Sequence, residues 1–253
     1  MHLPVSISSE INEYILPHIQ NNPEDYVCVY GSSVYSPDKL TSDVDLFAVT
    51  HGAGKLALEP LVGFIQDLHT RHGRRLDAEV PYENKVLYTA EEIEDAVQFG
   101  GFEVDGSRIA VPQVRKESSF LQSPAIKARL ALNGLTTPHA VFGEDFTRYH
   151  VARERAGEAA TLLAISMLNR DEVSVPMLHD ALTVSDTGAS GEMFLGYKTE
   201  YPIVSEHLFG VLEGGLARLS KSGVVNPTME GYHVPRQTFD PRGYMQATAP
   251  QKA

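Results

Sequence analysis

Two short apolar runs separated by turn residues constrain the fold of this chain more than any other feature of its sequence. The first run, Tyr26 to Tyr30, is β-branched and aromatic and stops at Gly31. The second extends from Val44 to Val49, and the residues between the two runs are rich in Ser, Pro and Asp. Short apolar runs bounded by turn residues are typical of buried strands. We therefore predict two strands joined by a loop that begins at Gly31.

Helical patterns surround these strands. Isoleucines at a four-residue step predict a first helix from Ser8 to His18, and a second apolar stripe predicts a helix from Leu56 to His72. Leu76 to Val80 is expected to form a third strand, and the Asp-Gly pair within 103–111 predicts a β-hairpin. His69 and His72, which lie three residues apart, are expected at the solvated end of the second helix.

The composition changes after Pro112. Helical periodicity dominates from Ser118 to about Leu219, whereas the segment from Gly223 onward is rich in Pro and Gly and has no periodicity. We therefore predict an α+β protein with three parts: a mixed α/β unit over 1–115, an all-helical domain over 116–222 and an extended C-terminal tail over 223–253. The predicted helices of the second part are 123–135, 152–168, 176–184 and 204–219.

The charge balance limits the classes of partner. The 253 residues include 21 basic and 33 acidic side chains, which gives a net charge of -12. A field of this sign repels nucleic-acid phosphates and anionic membranes, so we expect neither as a partner. The single cysteine, Cys28, excludes an internal disulfide and a Cys-based zinc cluster.

The expected compartment is the cytoplasm. Residues 1–4 lack the basic start and apolar run of a secretory signal, and no segment approaches the ~18 apolar residues of a membrane span. A single thiol also suits a reducing environment.

The residues that carry chemistry follow the two predicted strands. Asp43 and Asp45 project from one face of the second strand, about 7 Å apart along the chain, because side chains alternate. Such hard oxygen ligands suit Mg²⁺, which completes its shell with water and substrate phosphates. Gly31 allows the backbone to approach a ligand closely, and Ser32 and Ser33 add donors for phosphate oxygens. A phosphate cradle beside paired carboxylates is typical of two-metal phosphoryl or nucleotidyl transfer.

This stretch resembles the nucleotidyltransferase superfamily with the DNA polymerase β-like core. The shared pattern is an apolar strand, Gly31-Ser32, a loop of roughly ten residues and then Asp43-x-Asp45. The segment from Leu40 to Leu46, with Ser42 before the first acid, is most similar to aminoglycoside nucleotidyltransferases and their small bacterial relatives. The resemblance implies a mixed-sheet nucleotidyltransferase core over 1–115 and a helical acceptor-binding domain over 116–222. It also implies nucleotide contacts from Gly31, Ser32, Ser33 and Ser42.

The resemblance further implies a third metal-ligand acid on a later strand. Asp77 and Glu79 lie on one face of the predicted strand 76–80, so alternation does not choose between them. Mg²⁺ tolerates little error around ~2.1 Å, which favours a short side chain level with two aspartates. We therefore expect Asp77 as the third metal ligand, and Glu79 further along the cleft, where it orients or deprotonates the acceptor.

The expected activity is Mg²⁺-dependent transfer of a nucleoside monophosphate, AMP from ATP or the equivalent group of another nucleoside triphosphate. Two Mg²⁺ ions, held by Asp43, Asp45 and the third acid, would assist attack by a hydroxyl of a small acceptor. The acidic composition favours a cationic acceptor such as an aminoglycoside. The alternatives are an enzyme that modifies a protein or tRNA, as antitoxin-type relatives do, and a nucleotide-binding module without catalysis.

Overall fold

A four-stranded mixed sheet lies between two layers of helices. The computed structural model describes residues 3–36, 43–51, 60–74, 86–110, 124–184, 195 and 197–250. The strands are β1 (Tyr26–Tyr30), β2 (Asp45–Thr50), β3 (Leu87–Thr89) and β6 (Ala140–Gly143), in the order β3-β2-β1-β6. β2 and β6 run antiparallel to β1, and β3 runs parallel to β2. The protein is therefore α+β, as its sequence predicts.

The first helical layer consists of α1 (Val5–Ile19) and α3 (Leu61–Arg71), while the short α2 (Ser32–Tyr35) follows β1 directly. α1 buries one isoleucine per turn, and these side chains pack with Ile65 and Leu68 of α3 against one face of the sheet. The sheet residues on this face include Val27, Val29, Leu46 and Ala48. Alternate residues of β1 and β2 thus face this apolar layer, because successive side chains of a strand point to opposite faces of the sheet.

The second helical layer covers the other face. It is formed by α4 (Ala90–Val97), α5 (Pro124–Thr136), α6 (Thr147–Leu168), α7 (Val175–Val184) and α8 (Pro202–Lys221). Tyr26, Cys28, Tyr30 and Phe47 of the sheet belong to one continuous apolar cluster with these helices. α6 is the central member, since nearly every residue from Arg155 to Ser166 is buried. The helices after residue 123 therefore share a core with the sheet.

Most predicted elements are confirmed. β1 coincides with the predicted first strand, the hairpin within 103–111 forms from β4 (Glu103–Asp105) and β5 (Arg108–Ala110), and the predicted helices are present with ends shifted by a few residues. Two strands are exceptions inside the region expected to be all-helical: Glu172–Val173 forms β7, and Ala140–Gly143 forms β6. This run pairs with the second edge of β1, from Val29↔Ala140 to Tyr26↔Gly143. The predicted strand 76–80 lies outside the described residues.

The C-terminal segment was expected to be extended, and that prediction is wrong. It forms β8 (Asn226–Pro227) and β9 (Tyr232–His233), which build a small sheet with β7 (Glu172–Val173), and then α9 (Pro241–Ala247). Buried apolar side chains, Val225, Val234, Phe239 and Met245, anchor this segment without any periodic pattern. The buried Arg155 adds to this anchoring, since it donates to the Met245 carbonyl at 2.8 Å and pairs with Glu94 at 2.6 Å.

Within the described ranges, no helix combines the length and the apolar character that crossing a bilayer would require.

Candidate active site

The register of β1 and β2 brings the predicted glycine and aspartate together. Tyr30, the last residue of β1, lies directly opposite Asp45, the first residue of β2. Gly31, which follows Tyr30, therefore lies against the Asp45 side chain. A Cβ built on Gly31 would lie 3.2 Å from the Asp45 Cβ and closer still to its Oδ2. Gly31 also has φ +78° and ψ −168°, a backbone region that is essentially confined to glycine. Only glycine fits beside this carboxylate.

The carboxylate pair faces the second helical layer. Asp45 shares its face of the sheet with Tyr30 and Phe47, whereas Val44 is 3% exposed and packs in the opposite cluster with α1 and α3. Asp43 and Asp45 are both partly exposed. The two acids that flank Val44 therefore lie on the side of the sheet that faces the second layer and are both accessible to solvent.

The negative charge of Asp43 and Asp45 contributes to the raised pKa values of two tyrosines. Burial raises the pKa of Tyr30, and the nearby Asp45 and Asp43 carboxylates raise it further. Burial likewise raises the pKa of Tyr35, in α2, and Asp45, Glu200 and Asp43 add to the effect. Both acids thus lie within electrostatic reach of both phenols, which keeps each hydroxyl protonated.

A cation lies beside the pair. Arg74 follows the C-terminal end of α3; burial lowers the pKa of its guanidinium, whereas the Asp43 carboxylate acts in the opposite direction. Repulsion between Asp43 and Asp45 is partly offset by this positive charge. Arg74 is therefore a further member of the site, and the sequence offered only its basic character as a signal.

His69 supports the pair from behind. Its imidazole is 2% exposed; Nε2 accepts the Val44 backbone N–H at 2.9 Å, and Nδ1 donates to the Ile65 carbonyl at 2.7 Å. The prediction that His69 is solvated is therefore wrong. Its spacing of four residues from Ile65 places it on the buried stripe of α3, a signal that was present in the sequence. His72 is half-buried and contacts Glu10 at 2.8 Å.

The second helical layer contributes residues that the sequence did not indicate. Tyr201, at the start of α8, packs its ring 5.2 Å from the ring of Tyr35, with a 54° angle between the planes. Glu200, the preceding residue, is exposed. The start of α8 therefore lies near Tyr35, a residue that is also within electrostatic reach of Asp43 and Asp45.

The predicted phosphate-binding serines follow Gly31 immediately. Ser32 and Ser33 are both buried in α2, and the Ser33 hydroxyl donates to the Tyr30 carbonyl at 3.3 Å. Ser42, Asp77 and Glu79 lie outside the described residues. The structure thus brings together Gly31, Ser32, Ser33, Asp43 and Asp45.

Other acids and bases of the second layer lie elsewhere. Gly143 pairs with Tyr26, so Glu144 and Asp145 lie at the end of β1 opposite to Gly31. Asp145 accepts the Thr147 N–H at 2.9 Å and so helps to cap α6. Lys127 pairs with Glu92 at 2.6 Å and lies over the Tyr88 ring. These contacts stabilise helix ends and helix packing.

The described residues supply two hard oxygen ligands for a divalent cation. No group of three His, Cys, Asp or Glu side chains suitable for a metal occurs among them. The Tyr30 hydroxyl, buried beside the two carboxylates, has no hydrogen-bond partner within the part of the chain that is described. The two partly exposed carboxylates have the donor chemistry that suits Mg²⁺, whose remaining ligands would be water and phosphate oxygens.

Comparison of the chain with models of protein families, with curated proteins and with solved structures finds no match.

Proposed function

We propose that this protein is a Mg²⁺-dependent nucleotidyltransferase, which transfers a nucleoside monophosphate, AMP from ATP, to a hydroxyl of a small, cationic acceptor such as an aminoglycoside. The observation that carries the proposal is the contact between Gly31 and Asp45. Gly31 allows the backbone after β1 to lie directly against the partly exposed Asp45 carboxylate, so a triphosphate bound at the turn that begins at Gly31 would lie within reach of a cation held by Asp43 and Asp45.

The pattern that resembles nucleotidyltransferases in sequence is compact in space. Gly31, Ser32 and Ser33 follow β1, and Asp43 and Asp45 lie at the start of its neighbour β2, so the two parts of the pattern meet at one end of the sheet. This arrangement supports a nucleotidyltransferase core built on the mixed sheet. The helices from α5 onward would then form the acceptor side of the cleft.

The residues of the site divide into two roles. Asp43 and Asp45, with Asp77 as the expected third acid, would hold Mg²⁺, which when bound neutralises phosphate charge and lowers the pKa of the acceptor hydroxyl. Ser32 and Ser33 would orient the outer phosphates, and Arg74, beside Asp43, adds a positive charge near them. Gly31 would allow the Asp45 carboxylate to lie directly against the backbone that follows β1.

The residues at the start of α8 support a cationic acceptor. Glu200 is exposed, lies near Tyr35 and adds to the negative charge of Asp43 and Asp45. The half-buried ring of Tyr201, which packs on the buried ring of Tyr35, offers aromatic surface that attracts cations. An amine-bearing acceptor would meet carboxylate and aromatic surface here, whereas a polyanionic acceptor would meet repulsion.

A direct test incubates the protein with each α-labelled nucleoside triphosphate, Mg²⁺ and a panel of amino sugars, polyols, proteins and tRNA. The expected result is label on one class of amino sugar with release of pyrophosphate. The Asp45→Asn variant serves as the inactive control. Label on protein or tRNA alone would replace the small-acceptor proposal, and Mg²⁺-dependent triphosphate binding without any transfer would leave a binding module.

A further inference from the structure

We propose that His69 is a positioning residue for the carboxylate pair, an inference that rests on the proposed metal-binding role of Asp43 and Asp45. The imidazole lies on the opposite side of the sheet from the carboxylates. It acts through the main chain of the one residue between them, Val44.

Both nitrogens of His69 are engaged in a buried environment. A backbone N–H can only donate and a carbonyl can only accept, so Nε2 carries the lone pair and Nδ1 carries the proton. The Ile65 carbonyl belongs to the preceding turn of the same helix and sets the ring orientation. This histidine therefore presents a single acceptor, in one orientation, to the Val44 N–H.

The hydrogen bond between His69 and Val44 lies just before the first residue pair of the β1–β2 ladder. The β1–β2 ladder begins with the pair Tyr30↔Asp45, so Val44 and Asp43 precede the first paired residue. Val44 is 3% exposed and packs in the apolar cluster that contains Ile65 and Leu68 of α3. Fixing both the side chain and the N–H of Val44 on the α3 side directs its two neighbours, Asp43 and Asp45, toward the opposite face of the sheet.

Groups that orient metal ligands from behind affect the metal strongly. Loss of such a supporting partner typically lowers metal affinity or activity roughly 10–100-fold. His69 differs from the usual case because it holds the backbone between two ligands, so its loss should loosen both carboxylates together. The effect should appear in metal binding even when no nucleotide is present.

The test compares His69→Leu, which removes the acceptor, with His69→Gln, whose side-chain carbonyl can replace Nε2. His72→Leu is the matched control, since His72 lies in the same helix end but contacts Glu10. Two quantities are measured on folded protein: Mn²⁺ affinity by electron paramagnetic resonance, and hydrogen exchange of the Val44 amide. We expect His69→Leu to weaken Mn²⁺ binding at least about tenfold and to accelerate Val44 exchange. His69→Gln should have a Mn²⁺ affinity and a Val44 exchange rate closer to those of the wild type, and His72→Leu should match the wild type in both quantities.

Wild-type Mn²⁺ affinity in folded His69→Leu would overturn the positioning role. If that variant does not fold, the wild-type protein provides the test. An unprotected Val44 amide, or a 15N spectrum that shows a proton on Nε2 of His69, would also overturn the positioning role. Absence of Mn²⁺ binding by the wild-type protein would instead overturn the proposed function, and the positioning role would fall with it. A protected Val44 amide in that case would show that His69 holds the backbone for structural reasons alone.

Discussion

Tyr30 and Asp45 face each other across β1 and β2 as the last residue of one strand and the first residue of the next. This pairing brings Gly31, the residue after β1, into direct contact with Asp45, although the two are 14 positions apart in the sequence.

Removing either carboxylate should abolish most of the activity. Asp43→Asn or Asp45→Asn keeps the shape of the side chain but removes the charge, and turnover should fall at least about a hundredfold. Steady-state kinetics with the identified acceptor measure the loss, and circular dichroism verifies the fold. Near-normal turnover in either folded variant would exclude the two-metal proposal.

A methyl group at Gly31 should affect both stability and activity. Gly31→Ala forces a side chain onto a backbone confined to glycine, at about 1–3 kcal/mol, and also displaces the Asp45 carboxylate. Gly106→Ala is the matched control, since Gly106 has φ +56° but nothing within 4 Å of an added Cβ. Urea denaturation and turnover should show destabilisation in both variants but loss of activity only in Gly31→Ala. Equal activity in the two variants would contradict the proposed triphosphate position.

The two serines after Gly31 should differ in their contributions. Ser32→Ala should remove about 1–3 kcal/mol of transition-state stabilisation, because a phosphate donor is lost. The Ser33 hydroxyl already donates to the Tyr30 carbonyl, so Ser33→Ala should lower kcat/KM less. A larger loss in Ser33→Ala would reverse the assignment of the two hydroxyls.

Kinetics should separate Asp77, the expected third metal ligand, from Glu79, which is expected to act on the acceptor. Asp77→Asn should impair transfer to every acceptor, water included, since the metal set is incomplete. Glu79→Gln should impair transfer to the true acceptor and preserve Mg²⁺-dependent nucleotide binding. Calorimetric titration with nucleotide and Mg²⁺ distinguishes the two roles. Loss of metal dependence in Glu79→Gln alone would show that Glu79 is the metal ligand and that Asp77 acts on the acceptor.

Stability should depend on Asp25 at acid pH. Burial acts to raise the pKa of this carboxyl, but hydrogen bonds from His51 and His18 outweigh it and hold the pKa below the usual value. The stabilisation is therefore complete above the unfolded pKa of about 3.9 and is lost as the pH falls through the lower folded value. Asp25→Asn should lower the free energy of unfolding at pH 7 by about 1–3 kcal/mol, with a smaller difference near pH 3. Urea denaturation at both pH values measures this, and Asp67→Asn, an exposed acid of α3, should change neither.

Local patterns predicted the strands and helices because their signals lie within a few residues. The run from Tyr26 to Tyr30 stops at a glycine, and the isoleucine spacing of α1 repeats once per turn. The meeting of Gly31 with Asp45 was expected only through the resemblance, because strand register is a long-range property. Glu200 and Tyr201 could not be found at all from the sequence, since only tertiary packing brings the start of α8 to Tyr35.

The tail was mispredicted for a related reason. Its buried residues, such as Val234 and Met245, are isolated anchors without a repeat, and periodicity cannot detect a contact that one side chain makes alone. For His69 the sequence did contain the signal, because its spacing from Ile65 places it on the buried stripe of α3. It was nevertheless predicted to be solvated, because its side chain is polar.

The origin of β6 has a consequence for how the chain can be divided. A fragment that ends at residue 115 would lack Ala140–Gly143, so one side of β1 would have unsatisfied backbone N–H and C=O groups. It would also expose Tyr26, Cys28 and Phe47, which the later helices cover. Open strand edges beside bare apolar surface recruit other chains and promote aggregation. The first 115 residues of this chain are therefore not a portable unit, and transferring them to another protein would require transferring the edge strand Ala140–Gly143 together with the sheet that it completes.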